Sequence, residues 1–202
     1  VDLSYGGTMR GNRRIKKMVQ FYFGYSEDVN VEMFGKIKEP DLIATRDKHF
    51  SSNMRPPTFG PAVNYDDFMV KMNDTISHVV IGDKWYEGND MAQRCFESIW
   101  SNVVTFIDED MDPQRRVFPD GPCAKFNYVK NHKDVEKRIK ILKERPEIRR
   151  QILEAQIETI NFKPLEYCKG FLEILKEDST GKIGEQSADD KPQQEVVASP
   201  LF

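Results

Sequence analysis

The sequence predicts an α/β protein in which parallel strands alternate with helices. Two segments, HVVIGD at His78–Asp83 and VVTFID at Val103–Asp108, are nearly continuous apolar runs, which are typical of strands buried on both faces of a parallel sheet. Segments with the apolar spacing of amphipathic helices separate the strand candidates. Hydrophobic residues make up 39% of the 202 residues, enough for one core of ordinary size. Together these observations predict right-handed crossovers and a Rossmann-like domain.

The first stretch of the chain, VDLSYGGTMRGNRR, predicts a strand, a glycine turn and a helix. The strand is expected over Asp2–Tyr5, and the turn at the two glycines that follow it. Apolar residues then recur at helical spacing from Ile15 to Phe23. A second strand is expected over Val29–Phe34.

A long loop is expected after the second strand, because the chain there is polar and contains four prolines. These are Pro40, Pro56, Pro57 and Pro61. Asn64 is a candidate cap for a helix over the segment YDDFMVKMN. A weaker extended segment is expected near Phe126–Val129. The remaining helices are expected at about 91–101, 133–144, 146–160 and 164–176.

The last part of the sequence has the composition of a disordered tail. Residues 178–202 are mostly polar and rich in Gly, Ser, Asp and Gln. They end in a small apolar cluster, Pro200, Leu201 and Phe202. The sequence therefore predicts a domain over residues 1–177, with helices at its carboxyl end, and a disordered tail over residues 178–202 that ends in a short apolar motif.

Composition and charge limit the classes of function. The formal net charge of -3 gives no general attraction to nucleic acid. The sequence has no run of the roughly 18 apolar residues that a membrane span needs, and it shows no signal peptide. We therefore expect a cytoplasmic protein with no membrane partner. The three cysteines and three histidines are scattered along the chain, which disfavours a disulfide framework and a histidine metal site.

The turn after the first strand is a candidate phosphate site. In a doubly wound sheet, ligands bind at the carboxyl ends of strands, where the backbone N–H groups of the next helix are free. Thr8 supplies a hydroxyl there, and Arg10 and Arg14 lie one helical turn apart, so both can reach one polyanion. The alternative is a solvated basic face on a surface helix, since the motif matches neither G-x-G-x-x-G nor a Walker A loop.

A second candidate site follows the strand HVVIGD. Its loop carries Tyr86 into a helix that bears Arg94 and Glu97, three residues apart on one face. One interpretation is an ion pair within the helix, worth roughly 0.2–0.5 kcal/mol. The other is that the carboxylate accepts hydrogen bonds from the two hydroxyls of a ribose while the arginine neutralises a phosphate. The two sites would then bind one nucleotide diphosphate at the same edge of the sheet.

A third stretch, IDEDMD at Ile107–Asp112, contains an Asp-x-Asp pair. Such a pair can bind a metal ion. Acidic residues are also common in turns that follow a strand. We favour the turn.

Four segments, taken in order, resemble the C-terminal half of the DNA β-glucosyltransferases of T-even phages. They are YGGTMRGNRR, VEMFG, HVVIGDKWYEGNDMAQRCFES and TFIDEDMD, and the resemblance covers about residues 1–176. It implies one half of a GT-B type glycosyltransferase, with two Rossmann-like domains facing a cleft. It also implies transfer of glucose from UDP-glucose to 5-hydroxymethylcytosine in duplex DNA, with inversion. A divalent cation, Mg²⁺ or Mn²⁺, is expected to bind with the UDP diphosphate.

The resemblance implies roles for particular residues. Arg10, Arg14 and Arg94 match arginines that grip the phosphates, and Glu97 matches the glutamate that holds the ribose. Asp83 matches an aspartate near the glucose. The aspartates of IDEDMD match no ligand. The full set of implied UDP-binding residues is Thr8, Arg10, Arg14, Gly35, Val63, Tyr86, Arg94 and Glu97.

Two hypotheses of function follow. In the first, the chain is the donor-binding half of a DNA glucosyltransferase, as a fragment or as one product of a split gene, acting in the cytoplasm of the bacterial host. The resemblance places the general base and most DNA contacts in an N-terminal half, so no catalytic residue is expected on this chain, which alone would transfer little. In the second, the chain is a nucleotide-sugar-binding or interaction module. Its ending, ASPLF, resembles peptides that dock on sliding clamps.

Overall fold

The computed structural model describes residues 1–9, 11–82 and 93–159. All of them lie in the first of two units of the chain, which ends at Phe162. The helix predicted at about 164–176 and the tail predicted from residue 178 lie outside the described residues. The domain boundary at residue 177 and the docking role of the tail therefore stay predictions.

Within the described residues, a six-stranded sheet in the order β3-β2-β1-β4-β5-β6 forms the centre of this first unit. Every strand is parallel to its neighbours in this sheet. This confirms the predicted α/β class and is the strand order of a doubly wound Rossmann-like sheet. The strands are β1 (Leu3–Thr8), β2 (Val31–Lys36), β3 (Thr58–Phe59), β4 (Ser77–Val80), β5 (Val104–Asp108) and β6 (Tyr128–Val129).

Helices connect and flank the strands. Those expected after the first strand, at Asn64, before VVTFID and over 133–144 are confirmed to within a few residues. Residues 146–159 are helical as well, and we call them α7. Among the described residues, no helix is long and apolar enough to cross a membrane. The other helices are α1 (Asn12–Tyr22), α2 (Glu39–His49), α3 (Tyr65–Asn73), α4 (Gln93–Trp100), α5 (Gly121–Phe126) and α6 (His132–Glu144).

The prediction of a glycine turn at Gly6 and Gly7 is wrong, because both glycines belong to β1. The strand continues to Thr8, with Gly6 opposite Phe34 and Gly7 opposite Gly35. A Cβ atom on Gly35 would lie 2.0 Å from the carbonyl oxygen of Gly7, and Gly35 has a φ of +126°. Glycine is therefore required where β1 and β2 approach each other, and the chain turns only after Thr8.

The prediction of a long loop after Gly35 is also wrong over α2. Pro40 lies in the first turn of this helix, where a proline interrupts no hydrogen bond of the helix. Of the residues of α2, Leu42 is buried, so the apolar periodicity that reveals a helix is weak here. The short helix α5 was likewise not expected, and it also has a proline in its first turn.

Candidate nucleotide site at the strand switch point

The strand order reverses between β1 and β4, and the predicted site residues follow these two strands. In a doubly wound sheet, the helices after two such strands lie on opposite faces and leave a crevice at the carboxyl ends. Thr8 is exposed at the end of β1, and α4 carries the second group of candidates. The sequence therefore predicts a ligand at the switch point of this sheet, between β1 and β4.

Gly6 lets an aromatic ring pack directly against β1. A Cβ atom on Gly6 would lie 2.1 Å from Cε2 of Phe68. Phe68 is buried on α3, and its ring centroid lies 5.7 Å from that of Phe34. Val63 packs against this aromatic cluster. The bare backbone of Gly6 thus fixes the position of Phe68 beside the end of β1.

Arg94 stacks on Phe68 and pairs with Glu97. The guanidinium carbon of Arg94 lies 3.9 Å from the centroid of the Phe68 ring, well inside the range of a cation–π contact. Its Nη1 atom lies 2.7 Å from Oε2 of Glu97, whose side chain is 7% exposed. A buried carboxylate needs a charged or hydrogen-bonding partner. The ion pair that the sequence predicted is present, and it forms part of a larger packed unit.

Arg14 and Arg94 act on the same buried hydroxyl from different helices. Tyr22 donates a hydrogen bond to the carbonyl of Val79 at 2.7 Å and accepts one from its N–H at 3.1 Å. Burial raises the pKa of Tyr22 well above its ordinary value, the neighbouring Tyr5 raises it further, and Arg94 and Arg14 oppose this effect. Both arginines thus lower the pKa of one buried hydroxyl, that of Tyr22.

The first turn of α1 adds positive charge to the same edge. Asn12 follows Gly11, which has a φ of +68°, and Arg13 and Arg14 come next. The N-terminus of a helix carries a partial positive charge and favours anions. Arg13 and Arg14 add to this partial positive charge, whereas acidic residues would neutralise it. The resulting positive potential favours the binding of a phosphate group.

His78 lies beneath the site and is fully buried. Its Nδ1 lies 2.8 Å from the carbonyl oxygen of Ser4, so the neutral ring donates this hydrogen bond. Burial lowers the pKa of His78 to about 3, Arg94 lowers it as well, and the hydrogen bond to Ser4 opposes both. The ring is therefore neutral at pH 7 and has a structural role in the core.

The aspartates of IDEDMD have structural partners. Asp108 is buried and lies 2.9 Å from Nζ of Lys17, which also lies 2.6 Å from Asp110. Asp112 accepts hydrogen bonds from the hydroxyl of Tyr128 at 2.7 Å and from the N–H of Val117 at 2.8 Å. Within residues 1–9, 11–82 and 93–159, no group of three His, Cys, Asp or Glu side chains could hold a metal ion. Asp108, Asp110 and Asp112 are thus each paired with a protein group.

The structure brings Arg94 and Glu97 into direct contact, and it packs Val63 against the cluster that contains Phe68. The backbone N–H of Gly35 faces the carbonyl of Pro61 at 3.4 Å, which places the segment leading to Val63 beside the end of β2. Arg10, Asp83 and Tyr86 lie outside the described residues. Phe68, whose ring lies beneath Arg94, was not predicted as a site residue, although it lies on the helix that was predicted after Asn64.

A six-stranded parallel sheet of this order, with arginines and a buried glutamate after the strands at its switch point, defines the chain as a Rossmann-like domain with a candidate anion-binding site. No protein-family model matches it. The chain is 31% identical over 165 residues to the DNA beta-glucosyltransferase of Enterobacteria phage T4, across 80% of this chain and 43% of that protein. The chain is therefore a homologue of DNA β-glucosyltransferase, and it spans less than half the length of this relative.

Solved structures agree with this relationship. Phage T4 β-glucosyltransferase in complex with UDP and Mn²⁺ has a TM-score of 0.72 and 27% identity, over 84% of this chain and 45% of that chain. A mutant form of the phage T4 enzyme in complex with UDP-glucose gives the same values. The expected resemblance to one half of such an enzyme is confirmed, and this chain has the fold of a glycosyltransferase domain.

Proposed function

We propose that this chain binds UDP-glucose as the donor-binding half of a DNA glucosyltransferase. The observation that carries the proposal is the unit formed by Phe68, Arg94 and Glu97 beside the end of β1. This unit presents a fixed guanidinium group and a buried carboxylate at the position where doubly wound sheets bind nucleotides. The homology to an enzyme whose structures hold UDP and UDP-glucose supports the same ligand here.

The residues that the structure describes would contact different parts of the donor nucleotide. Glu97 would accept hydrogen bonds from the ribose hydroxyls, and Arg14 and Arg94 would bind the diphosphate together with the hydroxyl of Thr8. Main-chain groups at Val63 would contact the uracil edge, and the backbone at Gly35 would lie near the nucleotide. The phosphate contacts of Arg10 and Tyr86 and the glucose contact of Asp83 rest on the sequence resemblance alone, since these residues lie outside the described ones.

The reaction proposed is glucose transfer with inversion to 5-hydroxymethylcytosine in duplex DNA. The acceptor oxygen attacks the anomeric carbon from the face opposite UDP, the bond from that carbon to the diphosphate breaks, and a general base takes the hydroxyl proton. Negative charge accumulates on the departing UDP, and fixed arginines stabilise it without reorganising. We place the general base and most of the DNA contacts on an N-terminal half.

A divalent cation, Mg²⁺ or Mn²⁺, would bind mainly through the nucleotide. The described acids at the carboxyl edge of the sheet are paired with protein groups, as shown by Asp108 with Lys17 and Asp112 with Tyr128. They do not form a cation site of their own. Oxygen atoms of a diphosphate are suitable ligands for either ion, and the cation would supply further neutralisation of the leaving group.

Isothermal titration calorimetry with UDP tests the proposal. We expect the chain to bind UDP, and we expect Arg94→Ala to weaken binding at least about tenfold, because a charge-assisted contact to phosphate is lost. Arg145→Ala is the matched control, because Arg145 is exposed at the end of α6, and it should bind UDP as the unaltered chain does. Absence of heat at millimolar UDP, or equal affinities of all three proteins, would contradict the proposal.

A further inference from the structure

Lys36 lies beside the candidate phosphate site, at the carboxyl end of the neighbouring strand. It is the last residue of β2 and the register partner of Thr8, the last residue of β1. Both residues are exposed. Neighbouring strands of a sheet lie about 4.7–4.9 Å apart, and the side chain of a lysine has a flexible stem of four carbons. An anion that contacts the Thr8 hydroxyl is therefore within reach of the Lys36 ammonium group.

The backbone fixes this position of Lys36. The N–H of Met9 donates a hydrogen bond to the carbonyl of Lys36 at 3.3 Å, so the two strands stay together to their ends. Gly7 and Gly35 precede the pair, and a Cβ atom on Gly35 would lie 2.0 Å from the carbonyl oxygen of Gly7. This close approach of β1 and β2 holds the base of the Lys36 side chain next to the turn into α1.

Arg94 approaches the same part of β1 and β2 through one aromatic ring. Phe68 packs against Gly6 and Phe34. These two residues are register partners, and they lie two residues before the ends of their strands. The Arg94 guanidinium stacks on the Phe68 ring at 3.9 Å. Since a strand rises about 3.3 Å per residue, the contact with the ring lies roughly 7 Å from the strand ends, a distance comparable with the length of a diphosphate group. One diphosphate can therefore contact both Arg94 and Lys36.

The positive charge of Lys36 is available to a ligand. Arg94 is paired with Glu97 at 2.7 Å, and Lys71 is paired with Glu32 at 3.2 Å. By contrast, none of the carboxylates in the part of the chain that the structure describes is paired with Lys36. A nucleoside diphosphate carries several negative charges, and a cation without a carboxylate partner binds them without first losing another interaction. Lys36 therefore complements Arg94, whose charge is already shared with a carboxylate.

We propose that Lys36 is a further residue of the donor site and that its ammonium group binds the diphosphate of UDP beside the Thr8 hydroxyl. This inference rests on the proposed binding of UDP. It deepens that function because it assigns a phosphate contact to a side chain of β2, where the sequence predicts only a backbone contact at Gly35. Uridine has the same base and ribose as UDP and no phosphate, so its binding should not depend on Lys36. A purely structural role of Lys36 would affect both ligands alike.

The test compares the dissociation constants of UDP and uridine for the unaltered chain and three variants by calorimetry, with uridine measured through its displacement by UDP. Lys36→Met should weaken UDP binding at least about threefold, because a charge-assisted contact with phosphate is lost, and it should leave uridine binding unchanged. Lys36→Arg keeps the cation and should bind UDP more tightly than Lys36→Met. Lys48→Met removes the same charge from the exposed far end of α2 and should bind both ligands as the unaltered chain does.

The outcomes separate this inference from the proposed function. A smaller loss of UDP affinity in Lys36→Met, or an equal loss for UDP and uridine, overturns the role of Lys36 and leaves UDP binding in place. Equal losses in Lys36→Arg and Lys36→Met also overturn it, and so does an equal loss in Lys48→Met, because the net charge of the chain would then be sufficient. Failure of the unaltered chain to bind UDP overturns the proposed function and this inference together.

Discussion

The side-chain amide of Gln156 forms hydrogen bonds with the backbone at the start of β5, where the short strand β6 does not reach. Its Oε1 accepts from the N–H of Thr105 at 2.8 Å and from Nδ2 of Asn127 at 2.6 Å, and its Nε2 donates to the carbonyl of Val103 at 3.0 Å. All four residues are fully buried. One side-chain amide therefore performs the role of a strand neighbour and joins α7 to the sheet.

We expect Gln156→Ala to lower the free energy of unfolding by about 4–6 kcal/mol. The Thr105 N–H would lose its partner, and a buried unsatisfied donor costs about 1–3 kcal/mol. The carbonyl of Val103 keeps a contact with the Thr105 hydroxyl, and Asn127 keeps its bond to the Thr105 carbonyl, so each of these losses costs about 1 kcal/mol. The cavity left by the amide adds a similar amount.

Urea denaturation followed by circular dichroism measures this difference. Gln151→Ala is the matched control, because Gln151 is exposed on the same helix and the two substitutions change helix propensity equally. The control should stay within about 0.5 kcal/mol of the unaltered chain. A difference of less than about 1 kcal/mol between the two variants would refute the reasoning, since it would mean that the ladder of β5 does not depend on this amide.

Two other substitutions test the buried charge and the buried histidine. Because the pKa of His78 is about 3 in the folded chain and ordinary in the unfolded chain, stability is fully present above about pH 6.5 and is lost as the pH falls toward 3. Acidification from pH 7 to pH 5 should lower the free energy of unfolding by about 2 kcal/mol. This loss should be absent in His78→Gln. If the free energy of unfolding depends on pH equally in both proteins, the role assigned to His78 is contradicted. Lys17→Met should lower the free energy of unfolding at pH 7 by about 3 kcal/mol, because it leaves Asp108 buried without its cation. Urea denaturation of the exposed neighbour Lys16→Met should show little change, and equal losses in the two lysine variants would be evidence against a special role for the ion pair.

Most of the strands were predictable because their signal is local, whereas the two-residue strand β3 lies in the segment that was expected to be a loop. The apolar runs of β4 and β5 and the helical spacing in α1 are properties of neighbouring residues, and these elements carry the doubly wound sheet. Elements with weak local signals were missed. In α2, few positions face the core, and Pro40 suggested a loop although it lies in a permitted helical position.

The errors at the glycines had a different cause. Gly6 looked like a turn residue in the sequence, because glycine is the usual residue of a turn. Glycine is required at this position because the ring of Phe68 occupies the space of a Cβ atom. Phe68 lies on α3, more than sixty residues later in the chain. The spacing of Arg94 and Glu97 was visible in the sequence, whereas the aromatic ring beneath the arginine depends on contacts between separate elements.

The ion pair between Arg94 and Glu97 is compatible with the proposed binding of a nucleotide by these two residues, and it would prepare the site for that binding. A free arginine loses side-chain entropy when it binds phosphate. Arg94 is already held between the Phe68 ring and the carboxylate, so part of that entropy is lost when the chain folds. The contact of Phe68 with β1 depends on Gly6. The arginine at the switch point is therefore oriented by a glycine on a neighbouring strand, through one aromatic ring.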